Sequence, residues 1–149
     1  MPKTIEMFVS LKVPDTTAIT ALQTLQKLGF KNIKDVKKSD YYKFTIEGDL
    51  AKFKDKISKV DIIVNANKHF CEFKMKDDDS IKILVKNTDD DSAGLILTLK
   101  NRLGIKEAKS IEKGTLWKLF VEGKNPKETA EKAAKELLVN ENYQEYKVI

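Results

Sequence analysis

From Ile5 to Leu11 the side chains alternate, with Ile5, Met7, Val9 and Leu11 on one side and Glu6, Phe8 and Ser10 on the other. A period of two predicts a β-strand with a buried face. Pro14-Asp15-Thr16-Thr17 then offers a turn and a helix N-cap. Over residues 18–28 the period lengthens. Ile19, Leu22 and Leu25, with Ala18, Ala21 and Leu28, recur at helical spacing, and Gly29 is placed to close the helix. A weakly alternating stretch over 30–38 (Ile33, Val36) and a stronger one over 41–47 (Tyr42, Phe44, Ile46) predict two strands joined as a hairpin at Ser39-Asp40. Gly48-Asp49 ends the second of them. Phe53, Ile57 and Val60 line one face of a helix over 50–60, and after Asn65-Ala66-Asn67 a short strand carries Cys71 and Phe73 on one side. The order is βαββαβ.

The same order returns after residue 80. Ile81, Ile83 and Val85 mark a strand, and Asp89-Asp90-Asp91-Ser92 a turn with Asp91 or Ser92 as helix cap. A helix over 93–103 is closed by Gly104, and a hairpin runs through Ile111 and then 116–123. Asn125-Pro126 opens the last helix with Pro in its first turn, residues 127–138 continue it, and Tyr146 and Val148 belong to a final strand. At a constant offset of 75 residues, Gly29 falls on Gly104, Lys43 on Lys118, Glu47-Gly48 on Glu122-Gly123 and Val64-Asn65 on Val139-Asn140. The first strands match at an offset of 76, one residue being lost in the second turn. Such self-similarity marks a duplicated structural unit.

Within each copy one stretch stands out: Ile62-Ile63-Val64-Asn65-Ala66-Asn67, and Leu137-Leu138-Val139-Asn140-Glu141-Asn142. Three aliphatics followed by Asn predict a buried helix end that stops at a residue tolerant of left-handed backbone, with a short strand after it. Asn65, Asn67, Asn140 and Asn142 are therefore turn residues first and candidates for a partner interface second.

A βαββαβ unit builds a four-stranded antiparallel sheet with both helices on one face. The expected organisation is repeat 1 over 1–75, a charged connector over 76–80 without Gly or Pro, and repeat 2 over 81–149. Phe8 stands between Met7 and Val9, and Phe120 between Leu119 and Val121, so strands apolar on both sides should be buried on both. Two units of about 70 residues would each be marginal alone. The economical arrangement packs two sheets together, or joins them through edge strands, with helices outside. The expected fold is α+β: two ferredoxin-like units forming a pseudo-twofold dimer within one chain.

Composition narrows the function classes. A hydrophobic fraction of 41% beside 34% charged residues is that of a soluble globular chain. No apolar run approaches the roughly 20 residues of a membrane helix, and Met1-Pro2-Lys3-Thr4 lacks a signal-peptide core. With Cys71 the single cysteine, an internal disulfide is excluded, and a cytoplasmic location is expected. One histidine, His69, argues against a His/Cys metal centre. The net charge of +5 comes almost wholly from lysines scattered among acids, with Arg102 the sole arginine. That pattern describes a solvated surface and not a nucleic-acid face. Tyr41, Tyr42 and Phe44 could stack bases on an open sheet, but Tyr-Tyr-Lys-Phe-Thr-Ile-Glu lacks the basic-Gly-aromatic pattern, so core or sheet-interface positions are expected.

There is no nucleophile–base constellation. His69 and Cys71 share a strand face, yet Gln144 and Tyr146 replace them in the second copy. The Asp77–Asp79 and Asp89–Asp91 runs lack the spacing and Gly of a calcium loop and read as solvated loops. No Gly-rich phosphate loop occurs. The chain is expected to hold no catalytic, cofactor or metal site of its own.

Each copy resembles the PurS family, the small subunit of phosphoribosylformylglycinamidine synthase in purine biosynthesis. The resemblance rests on the opening alternating strand, Leu28-Gly29-Phe30 or Leu103-Gly104-Ile105, the Val36 or Ile111 segment, the strand ending in Glu-Gly, and the closing Leu137-Leu138-Val139-Asn140 through Glu145-Tyr146-Lys147-Val148. The first copy departs from the pattern at Lys68-His69-Phe70-Cys71, and the tandem form departs from the usual single repeat. The arrangement is similar to the N-terminal region of large single-chain synthases.

The resemblance implies a non-catalytic assembly subunit bridging a glutaminase subunit (PurQ) and a synthetase subunit (PurL). ATP and Mg²⁺ would be bound by the synthetase and not by this chain. It implies no nucleic-acid or membrane partner, and leaves further homodimerisation open. A tandem ACT-like regulatory module is the alternative from the element order, although neither Pro14-Asp15-Thr16 nor Asp90-Asp91-Ser92 supplies the Gly that such modules favour in the first strand-to-helix turn. RNA binding is a third, and would show as a steep salt dependence of affinity.

Overall fold

The first strand forms where its alternation predicts. β1 (Lys3–Leu11) buries Ile5, Met7 and Val9 on one face and also Phe8 on the other. Asp15 caps α1 (Thr16–Lys27) as expected, its Oδ1 accepting the N–H groups of Thr17 and Ala18 at 3.0 and 3.2 Å. The buried stripe of α1 is Ala18, Ala21 and Leu25, whereas Ile19 and Leu28, expected on the same face, are exposed. Gly29 closes the helix with φ of +105°, a backbone that side chains with a Cβ rarely adopt.

β2 (Ile33–Ile46) corrects the predicted hairpin. Ser39 and Asp40 are extended residues within one long strand, and Asp40 pairs with Val9 of β1. Turn propensity is local and weak, and a neighbouring strand that pairs through the site overrides it. α2 (Leu50–Ile57) is capped by Asp49, and β3 (His69–Glu72) pairs antiparallel with β1.

β4 (Ile81–Asn87), α3 (Ala93–Asn101) and β5 (Ala108–Val121) repeat this order, β5 again being one continuous strand where a hairpin was expected. At Gly114 an added Cβ would lie 2.6 Å from the carbonyl oxygen of Val85, so the glycine marks a close approach of the β4 backbone. α4 (Pro126–Ala133) runs straight into one π-helical turn, Ala134–Leu138, and β6 (Gln144–Val148) ends the chain order. The computed structural model describes residues 2–61, 63–65, 67–75, 78–87, 93–140, 142 and 144–149. The cap expected at Asp91 or Ser92, and Ile62, Ala66 and Glu141 of the repeated stretches, lie outside them.

The chain is α+β: among the described residues, four α-helices accompany six strands in one antiparallel sheet of order β3-β1-β2-β5-β4-β6, where two packed sheets had been one expectation. Two compact units draw on it, and each takes segments from both sequence repeats. The first comprises Met1–Val13, Asp40–Met75 and Asp90–Lys113. Its core joins Met7, Val9, Phe44, Phe53 and Ile57 to Leu99, Ile105 and Ile111. Phe44 and Phe53 meet edge-on at 5.2 Å between ring centroids. Inside this unit the Glu47 N–H, one residue past β2, donates to the carbonyl of Glu107, one residue before β5, at 2.9 Å.

The second unit comprises Pro14–Ser39, Lys76–Asp89 and Gly114–Ile149. Its core joins Ala18, Leu25, Ile33 and Val36 to Ile83, Leu119, Ala130 and Ala133. Small residues on α1, α4 and the π-helical turn let these elements pack closely, and the Glu122 N–H donates to the Asn32 carbonyl at 2.8 Å. Among the described residues no helix is long and apolar enough to cross a membrane.

Candidate functional site

The two Asn-x-Asn segments fold alike. Asn65 Oδ1 accepts the N–H of Asn67 at 3.0 Å, and Asn140 Oδ1 accepts that of Asn142 at 3.1 Å. The Asn65 carbonyl accepts the His69 N–H at 2.7 Å, and the Asn140 carbonyl accepts the Gln144 N–H at 2.8 Å. The Asn65 N–H donates to His69 Nδ1 at 3.0 Å, and the Asn140 N–H donates to Gln144 Oε1 at 2.9 Å. Each turn is thus closed by its own Asn and by an acceptor side chain four residues on.

Two expectations change. No non-glycine residue among those described has positive φ, so Asn65 and Asn140 act through their side-chain oxygens and not through left-handed backbone. Nor does Asn65 stop a helix, since α2 ends at Ile57, well before it. Asn67, Asn140 and Asn142 are exposed and Asn65 is half-buried, while Ile63, Val64, Leu138 and Val139 beside them are buried. Around Asn140, an open surface depression of about 700 Å³ is lined by Lys135, Glu136 and Leu137 together with Asn142 and Gln144. The sequence pairs His69 with Gln144 by position but weighs His69 only as a catalytic partner of Cys71, so it misses the role the two share as acceptors that close the turns.

The acid–base chemistry of these segments is subdued. Burial, and then the Glu72 carboxylate, push the Cys71 thiol up, so the weakly nucleophilic protonated form is favoured. The Nδ1 lone pair of His69 is committed to the Asn65 N–H. Among the described residues no group of three or more His, Cys, Asp or Glu side chains could hold a metal ion. Of the aromatics weighed as base-stackers, Phe44 and Tyr41 are buried and Tyr42 packs against the first core. Tyr41 lies 5.7 Å from Phe8 between ring centroids and donates its hydroxyl to Glu6 at 2.7 Å. Burial first, then that hydrogen bond, raise its pKa.

No protein-family model matches this chain, and no curated protein matches it.

A second constellation was not anticipated. Lys82 on β4 and Lys118 on β5 stand directly opposite in the antiparallel register, their side chains only 12% and 15% exposed. Two like charges so placed repel. Asp78, from the connector read as solvated loop, lies between them at 3.0 Å from Lys82 Nζ and 3.8 Å from Lys118 Nζ. Its carboxylate also accepts the Ser80 N–H at 3.0 Å and the Ser80 hydroxyl, and Ser80 is buried. Burial alone would raise the Asp78 pKa, but the hydrogen bonds from Ser80 and Lys82 outweigh it and hold the carboxyl well below the usual range. In the first copy the corresponding cross-strand pair is Glu6 opposite Lys43, which needs no third charge. Asp78, with Ser80 beside it, is tied to the sheet in the second unit.

Proposed function

We propose that this chain is an assembly subunit of a phosphoribosylformylglycinamidine synthase, built from two tandem PurS-like units that act as a pseudo-twofold dimer within one polypeptide. One observation carries the proposal. The two turns, 75 residues apart, use the same three hydrogen bonds at matched positions, although the closing side chain is His69 in one and Gln144 in the other. Duplicated geometry that survives a change of residue type supports descent from one unit. The positive-φ glycines support it too, since Gly29 and Gly48 recur as Gly104 and Gly123.

In this reading each predicted inner hairpin becomes one long strand, β2 or β5, and the motif residues serve the fold. The chain then works through its surface, bridging synthetase and glutaminase and shielding the ammonia that passes between them. Its place is the cytoplasm, with ATP and Mg²⁺ held by the synthetase. The test is reconstitution of the two catalytic subunits with and without this chain, following conversion of formylglycinamide ribonucleotide with glutamine or with ammonia as nitrogen donor. Glutamine-dependent turnover should require the chain, and ammonia-dependent turnover should not. Failure to co-purify with either subunit, with glutamine-dependent turnover intact in its absence, would refute the proposal.

A further inference from the structure

Among the described residues β6 is an end strand of the sheet, bonded to β4 on one side. An end strand presents a row of backbone donors and acceptors that a second chain can use. Which residues present them follows from the register. The Ile149 N–H donates to the Lys82 carbonyl at 3.0 Å, and the pairs run Ile83 with Val148, Leu84 with Lys147, Val85 with Tyr146 and Lys86 with Glu145. Alternation then turns the polar groups of Lys147 and Glu145 toward β4 and those of Gln144, Tyr146 and Val148 toward the open edge. Of these, the Gln144 N–H is already taken by the Asn140 carbonyl.

We infer that the open edge of β6 binds β6 of a second copy of this chain, antiparallel and centred on Tyr146. In that register Tyr146 faces Tyr146 as a hydrogen-bonded pair, and the Val148 N–H of each copy meets the Gln144 carbonyl of the other. A full pair at each end would also have the Gln144 N–H donate to the Val148 carbonyl, but the Asn140 carbonyl holds that N–H, so the pairing rests on four backbone bonds, two between the Tyr146 residues and one at each end. Glu145 then stands opposite Lys147 of the second copy, twice, at the non-hydrogen-bonded positions where side chains approach most closely. Both side chains are exposed in the single chain, so they are free to pair. On the other face Tyr146 and Val148, half-buried against the second core, would lose their remaining exposure. The pairing is isologous and closes on itself, as stable dimers do.

The other end strand, β3, is four residues long, a length that blunts an edge. Charges on β6 could likewise serve only to blunt it, in which case the chain would stay monomeric. The inference stands apart from the proposed function.

Sedimentation equilibrium of the full chain from about 1 µM to about 1 mM decides it, since marginal associations dissociate across that range. The wild-type chain should form dimers. Lys147→Glu places like charges opposite each other in the pair, while its cross-strand partner within its own chain is the uncharged Leu84. It should raise the dissociation constant about tenfold or more without changing the thermal midpoint of the fold. Adding Glu145→Lys should restore dimerisation. A wild-type chain monomeric throughout would overturn the inference, and so would a dimer indifferent to Lys147→Glu or a double variant that fails to recover.

Discussion

Removing the Asp78 carboxylate should expose how strongly the two facing lysines depend on it. At an effective dielectric constant of about 20, charges at the separations of Asp78 from Lys82 and Lys118 attract by about 5 and 4 kcal/mol before desolvation is counted. Desolvation offsets most of that, and with Asp78 29% exposed the cluster lies between a surface pair, worth less than about 1 kcal/mol, and a buried one whose breaking costs about 3–5 kcal/mol. Asp78→Ala should therefore lower unfolding stability by about 2–3 kcal/mol at neutral pH, measured by urea denaturation with an unchanged slope. Adding Lys118→Met should recover about half of the loss, because the residual charge on Lys82 no longer faces another. A carboxyl whose pKa is lower folded than unfolded stabilises fully above its unfolded value, about 3.9, and loses that contribution as the pH falls through the folded value. The gap between wild type and Asp78→Ala should thus be flat from neutral pH to about pH 5 and narrow below about pH 4. A loss under about 0.5 kcal/mol, or a gap that instead narrows above pH 5, would refute the assignment.

Two further substitutions test the local geometry. His69→Gln should keep stability within about 0.5 kcal/mol, because Gln144 closes the equivalent turn with the same acceptor, whereas His69→Ala should cost about 1 kcal/mol and raise amide exchange at Asn65. Gly114→Ala should cost about 1–3 kcal/mol in urea denaturation, since its Cβ would press on the Val85 carbonyl, and a smaller cost would mean that β5 shifts freely against β4.

The helices and the outer strands were legible because their periods are set by which side faces a core, as in Met7 and Val9 or Ala18, Ala21 and Leu25. The continuity of β2 was not, since it depends on Asp40 finding Val9 opposite, a fact of pairing and not of local propensity. The exposure of Ile19 escaped for a related reason: α1 presents a narrow stripe of small residues to its neighbours, and a larger side chain one step away falls outside it. The Asn turns could be found through their repetition. The role of their closing partners could not, because His69 and Gln144, though matched in position, have only an acceptor atom in common. Asp78 was hidden because its role exists only once the register sets Lys82 against Lys118.

The interleaving of the two units bears on how the chain is made. The first core takes Leu99, Ile105 and Ile111 from beyond the connector, although β1 and α2, which they complete, are synthesised much earlier. At about 5–20 residues per second, the stretch from Val64 to Ile111 keeps the ribosome occupied for roughly 2–10 s. Throughout that interval Phe44, Phe53 and Ile57 have been translated, and the part of their core supplied by Leu99, Ile105 and Ile111 has not. The nascent chain therefore displays an aromatic surface long enough for a chaperone to recognise, and its folding begins late, close to release.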